Sequence, residues 1–251
     1  MIAALVVAVA PCLTTPVAFA AEIKVLSGSG VQAGMNEIVP EFERFSGHRV
    51  VFDYGTVGGM AARVEHGEVA DVLIASAPQI AALEDKGGIV RGSRTDLAKT
   101  GIGIFVRHGA AKPDIATVET FKQTMLAAKS IGWNDPAAGA PVSIYMLGAF
   151  ERLGITEPMK LKTVTFKLRS ERFAAVARGE VEIGFNQISE IVTAAGVDLV
   201  GPLPSQIQNY TLFSAGIVTA SGNKEAGRSF LRFVSSAAAL AVMKGRGFEA
   251  P

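Results

Sequence analysis

The sequence predicts an α/β fold, on three observations. Short apolar runs alternate with helical patterns from Glu22 onward, which implies βαβ units and a parallel sheet. Of the 251 residues, 49% are hydrophobic, ample for a packed core in one large domain or two lobes. Glycines, serines and threonines collect where strands give way to helices, and in open α/β sheets ligands sit at that end.

The elements follow in order. Ile23–Leu26 reads as a strand, and Ala33–Phe45 as a helix with Met35, Ile38, Val39 and Phe42 on one face. Arg49–Tyr54 is a second strand, Gly59–His66 a short helix and Val72–Ala75 a third strand. Pro78–Asp85 is helical and stops at Gly87-Gly88. Ile102–Val106 opens a new set of strands, followed by a helix at Val118–Ala128 and a strand at Ser130–Trp133. A helix over Val142–Leu153 ends at Gly154. Val164–Phe166 and Ile183–Phe185 read as strands, Glu171–Arg178 and Ile188–Ala194 as helices. Lys224–Phe233 and Ala237–Lys244 form two final helices with no strand after them.

The N-terminus reads differently. "MIAALVVAVAPCLTTPVAFA" carries no charge and closes on Ala18-Phe19-Ala20, the small-x-small pattern of a signal peptidase site. No Lys or Arg precedes the apolar run. The expectation is a signal peptide over residues 1–20, cleavage after Ala20 and export to the periplasm. Cys12, the single cysteine, lies inside it, so the mature chain has no thiol for disulfides or cysteine-metal sites. Pro11 just before it argues against lipidation.

Charge excludes some functions. Lys plus Arg number 24 and Asp plus Glu 23, a formal net charge of +1 with no basic run. A nucleic-acid surface is not expected. The histidines, His48, His66 and His108, each stand beside a glycine and show no ligand spacing, so no metal site is expected. No Gly-x-Ser-x-Gly elbow is present. Gly28, Gly30 and Gly34 are spaced one residue too far for a dinucleotide loop.

Four junctions combine glycine or proline with polar donors. "VLSGSGVQAG" puts Ser27 and Ser29 after the first strand. "YGTVGGM" places Thr56, Gly58 and Gly59 at a helix entrance. "NDPAAGAPVSIY" brings Pro141 and Ser143 to a helix start, and "GFNQISEI" brings Asn186, Gln187 and Ser189. Each hydroxyl or amide would serve as an ordinary helix cap. Helix N-termini also present unpaired N–H groups and partial positive charge, and glycine lets a ligand approach them. Convergent, they would hold a small anion. Arg63 and Arg169 are the cations nearest these junctions, able to grip a carboxylate with two hydrogen bonds if they face inward.

Over nearly its whole mature length the chain resembles the periplasmic molybdate-binding proteins, the soluble receptors of molybdate ABC transporters. The resemblance rests on "GTVGGMAARVEHGEVADVLIAS", "RLGI", "ARGEVEIGF" and "FLRFVSSAAALAVMKGRGF", in that order. It implies a two-lobed periplasmic binding protein fold of type II, with the ligand cleft between lobes: residues 21–100 with 206–251 form lobe I, and 101–205 lobe II. It further implies a monomer that needs no cofactor, takes a small anionic ligand and works with a transporter permease. By position, Ser27 or Ser29, Thr56, Pro141–Ser143 and Gln187 would meet the ligand. Two departures bear on which anion. Thr56-Val57-Gly58 stands where the family has paired serines, and Asn186-Gln187 where it has a tyrosine. The "GFNQISEI" stretch is more similar to a divergent branch containing enzymes such as aconitate isomerase. The expectations are therefore a receptor for a small oxyanion or carboxylate, or an isomerase that moves a proton on a tricarboxylate. The second needs a general base, for which Glu171, Glu190 and His66 are the candidates.

Overall fold

The computed structural model describes residues 21–138 and 140–251. The export segment expected over residues 1–20 lies outside the described residues. Three parallel strands begin the fold. β1 (Glu22–Gly28) lies between β2 (Arg49–Gly55) and β3 (Val72–Ser76). Its residues Ile23, Val25 and Leu26 are fully buried, because helices cover both faces of a parallel sheet. α1 (Gln32–Ser46) joins β1 to β2 and buries Met35, Ile38, Val39 and Phe42, the i, i+3, i+4, i+7 stripe of an amphipathic helix. It ends at Gly47, whose φ of 71° is the left-handed conformation that glycine adopts without a Cβ clash. α2 (Val57–Glu65) and α3 (Ala77–Asp85) complete this group.

β4 (Thr95–Arg107) then runs for 13 residues and serves two groups of strands. Thr95–Gly101 pairs antiparallel with β9 (Tyr210–Ile217), and Ile102–Phe105 with β7 (Ile183–Gln187). β8 (Val197–Pro202) lies antiparallel on the outer half of β4. The second group holds α4 (Val118–Ala127), β5 (Ile131–Asn134), α5 (Pro141–Arg152), α6 (Thr156–Lys160), β6 (Thr163–Phe166), α7 (Arg169–Ala177) and the short α8 (Ile188–Ile191). β5 is parallel to both β6 and β7. α9 (Lys224–Val234) and α10 (Ala237–Gly245) return to the first group, burying Phe230, Leu231, Val234 and Met243 there.

The cores divide accordingly. One apolar cluster draws on residues between 23 and 98 and between 213 and 248. Two others lie wholly between 102 and 207. The protein is two-lobed, and the chain passes from one core to the other along β4 and returns after β8.

The expected parallel units are present, and antiparallel strands join them into one mixed sheet. The strand order is β2-β1-β3-β9-β4-β7-β5-β6, with β4 antiparallel to β9, β7 and β8, and β9 antiparallel to β3. The strands that make it mixed are those the sequence pattern hid. β8, β9 and the first half of β4 interleave Thr, Asp, Lys, Ser and Gly with their apolar residues. Their backbones are satisfied by long-range pairing, which local periodicity does not report.

Candidate functional site

A cleft of about 280 Å³ opens where five strand ends meet. The turn after β1 supplies Ser29 and Gly30, and the turn after β2 supplies Gly55 and Thr56. The end of β5 and start of α5 supply Asn134 and Ala140–Ser143. The β6–α7 junction supplies Lys167, Leu168, Arg169 and Arg172, and the end of β7 supplies Asn186, Gln187 and Glu190. Phe213 of β9 forms part of the floor. This is the carboxyl end of the strands, where loops feed helix N-termini. The two cores meet tightly here: a Cβ on Gly30 would fall 2.4 Å from Gln187 Oε1 and 2.5 Å from the Phe213 ring, so only glycine fits.

Arg172 dominates the electrostatics. It is 2% exposed, and among the described residues no carboxylate lies within ion-pair distance of it, although Glu190 acts on it from farther away. Its Nη1 donates to Asn134 Oδ1 at 2.5 Å, while Nε and Nη2 have no hydrogen-bond partner among the described residues. Asn134 is oriented for this by its Nδ2, which donates to the carbonyls of Phe166 and Lys167. The guanidinium lies over the Phe173 and Phe105 rings, 5.2 and 5.9 Å from their centroids. Burial pushes its pKa down to about 10, with Glu190 raising and Arg169 lowering it by smaller amounts. At neutral pH it is therefore a charged, desolvated fork with two free donors.

The cleft carries a second polar cluster. Arg169 Nη1 donates to Glu190 Oε1 at 2.5 Å, Ser29 Oγ donates to the same oxygen at 3.1 Å, and Asn186 Nδ2 donates to Oε2 at 2.6 Å. Glu190 thus ties the turn after β1 to the opposite lobe. Ser143, in the first turn of α5 two residues after Pro141, is 1% exposed, and its Oγ has no partner among the described residues. Gln187 Nε2 donates to Thr211 Oγ1. Thr56 Oγ1 accepts from Gly59 N at 3.0 Å and so caps α2, leaving its own O–H free to donate into the cleft.

The cleft therefore brings together Ser29, Thr56, Ser143, Arg169, Gln187 and Glu190 from the residues expected by sequence. Others stand elsewhere. Ser27 is fully buried and donates to the Gly28 carbonyl. Gly58 and Gly59 lie inside the first turn of α2, outside the cleft lining. Arg63 does not face the cleft: Glu68 takes Nε and Nη2, and Asp53 takes Nη2, all at 2.6 Å. Arg63 and Lys24 in turn hold the Glu68 carboxyl down at about 2. Glu171 accepts from Leu168 N and caps α7, and His66 Nδ1 meets the Ala62 carbonyl at the exposed end of α2. Neither lines the cleft. Arg172, Asn134 and Lys167 escaped the sequence reading. One signal was present: Arg172 follows Arg169 by three residues, which places both on one helix face.

Among the described residues, no three His, Cys, Asp or Glu side chains cluster as a metal site, and no helix is long and apolar enough to cross a membrane.

Two lobes with a ligand-sized cleft at their strand ends are an architecture that solute-binding proteins use. The chain belongs to the bacterial extracellular solute-binding protein family, whose model matches residues 23–249. It is 32% identical to the aconitate isomerase of a Pseudomonas species over 234 residues, 90% of this chain and 87% of that one. It is 28% identical to the molybdate-binding protein ModA of Azotobacter vinelandii over 253 residues, 97% and 96% of the two chains. The solved periplasmic molybdate-binding protein of that organism superposes with a TM-score of 0.75 at 20% identity, covering 91% of this chain and 99% of its own. That likeness concerns the fold.

Proposed function

We propose that this protein is a periplasmic receptor for a small polycarboxylate, and that the ligand's first carboxylate is gripped by Arg172. The carrying observation is Arg172, a buried side chain in the wall of the cleft whose Nε and Nη2 have no hydrogen-bond partner among the described residues. An uncompensated charge in a low-dielectric site is costly, and a carboxylate meeting both donors relieves the cost. A compact oxyanion of the kind named for the molybdate-binding relatives needs only helix ends and hydroxyls. Ser29, Thr56 and Ser143 would supply those, and Arg172 would then be superfluous. Lys167 and Arg169 on the same wall favour a ligand whose negative charge is spread over several atoms. The two lobes, residues 21–100 with 206–251 and residues 101–205, close on it and present it to an ABC transporter permease.

A second reading has its own support. Glu190 places a carboxylate in the cleft, and the 32%-identical relative is an aconitate isomerase. In that reading a ligand carboxylate takes Arg169 from Glu190, and the freed Glu190 removes a proton from the methylene carbon. The double bond shifts by one position, and the same proton returns to the far allylic carbon, so no redox partner is consumed. His66 and Glu171, outside the cleft, do not serve as this base.

Calorimetry with molybdate, sulfate, citrate, glutarate and trans-aconitate tests the first reading, and chromatography of the trans-aconitate sample tests the second. Binding of carboxylates and not of molybdate is the expected result. Molybdate binding that persists in Arg172→Met would overturn the polycarboxylate reading. Conversion of trans- to cis-aconitate, lost in Glu190→Gln, would replace the receptor by the isomerase.

A further inference from the structure

A second cavity of about 190 Å³ adjoins the cleft. Ser29, Arg169 and Glu190 line both, so their hydrogen-bonded cluster is a shared wall. Its remaining walls come from the start of α1, with Gln32, Ala33 and Asn36, and from Ser189 and Thr193 on the opposite lobe. Ser189 is 1% exposed, and its Oγ has no hydrogen-bond partner among the described residues. No side chain caps the 15-residue α1; its first N–H, on Gln32, bonds the Ser29 carbonyl, and its positive end adjoins this space. A buried, idle hydroxyl beside a helix N-terminus and an arginine is an arrangement for accepting a negatively charged oxygen.

We infer that this side cavity is a second subsite, which receives a further carboxylate arm of the ligand whose first carboxylate is held by Arg172. The inference rests on the polycarboxylate reading and adds a selectivity to it. Arg169 can be reached from either cavity, so one guanidinium serves the middle of the ligand. Arg172 and Ser189 mark its two ends. A ligand with two carboxylates fills the cleft alone, and one with three also fills the side cavity. The consequence is a preference for tricarboxylates over dicarboxylates of the same backbone.

Glutarate and tricarballylate differ by one carboxylate and are the probes. Calorimetry on the purified protein should find tricarballylate binding at least about tenfold more tightly. Ala33→Leu, which fills the side cavity from α1 with a good helix former, should erase that preference and leave glutarate affinity unchanged. Ser189→Ala, which removes the hydroxyl without adding bulk, should reduce the preference several-fold and decides the matter if Ala33→Leu does not fold. Equal affinities in the unaltered protein, or a preference that survives in both variants, would refute the second subsite while leaving the Arg172 reading intact. Absence of binding by either probe would bring down both.

Discussion

Arg172 offers an unusual combination: a residue whose removal should stabilise the empty protein and disable it. The guanidinium is pushed from its ordinary value down to about 10 by burial. At roughly 1.4 kcal/mol per tenfold change, keeping it charged at pH 7 costs the fold about 3 kcal/mol. Arg172→Met keeps the length and removes the charge. It also forfeits the Asn134 hydrogen bond and the stacking on Phe105 and Phe173, together about 1–2 kcal/mol. The net gain expected for the unliganded protein is about 1–2 kcal/mol, or a Tm higher by about 2–8 °C for a chain of this size. Addition of a polycarboxylate should then raise the Tm of the unaltered protein only. The sign of the pH dependence is fixed. Between about 10 and the unfolded value, the unfolded chain binds more protons at this site than the folded one. This group's contribution to stability therefore rises with pH, and the advantage of the methionine variant should shrink as pH climbs through 10. Differential scanning calorimetry of both proteins, with and without ligand, is the assay. A variant that is less stable when empty and still binds carboxylates would refute the reasoning, since Arg172 would then be a structural residue compensated by its surroundings.

Glu190→Gln removes the negative charge competing for Arg169 while keeping the hydrogen-bonding shape; calorimetry should find polycarboxylates bound about tenfold more tightly. Thr56→Val removes both the α2 cap and a cleft donor. Stability should fall by about 1 kcal/mol and affinity about ten- to a hundredfold. Arg63→Met should leave ligand binding unchanged, because that side chain is engaged by Asp53 and Glu68 away from the cleft. Its effect belongs to acid stability. The Glu68 carboxyl, held at about 2, contributes stability that is present above its ordinary pKa and lost as pH falls toward 2. Unfolding curves from pH 6 to pH 2 should therefore be flatter in the variant.

The sequence by itself determined the α/β class and nearly every helix. Those features are written in local periodicity: the stripe of Met35, Ile38, Val39 and Phe42 in α1, or the Gly87 and Gly154 stops, needs no distant partner to be recognised. It also located the polar junctions at Ser29, Thr56, Ser143 and Gln187, because glycines and helix caps are local chemistry. Tertiary structure decided what these could not contain. β8, β9 and the first half of β4 exist through pairing with strands that are remote in the chain, such as Thr95 with Ala215. The fate of each arginine was likewise a question of neighbours. Arg63 and Arg169 look alike in sequence, but Asp53 and Glu68 claim the first and turn it away from the cleft, while Glu190 keeps the second beside it. Arg172 is visible in sequence only as one more charge on a helix. Burial against Phe105 and Phe173, with Asn134 as its hydrogen-bonding partner among the described residues, leaves two of its nitrogens unpartnered beside the cleft, because desolvation is a property of the surrounding fold and not of the residue.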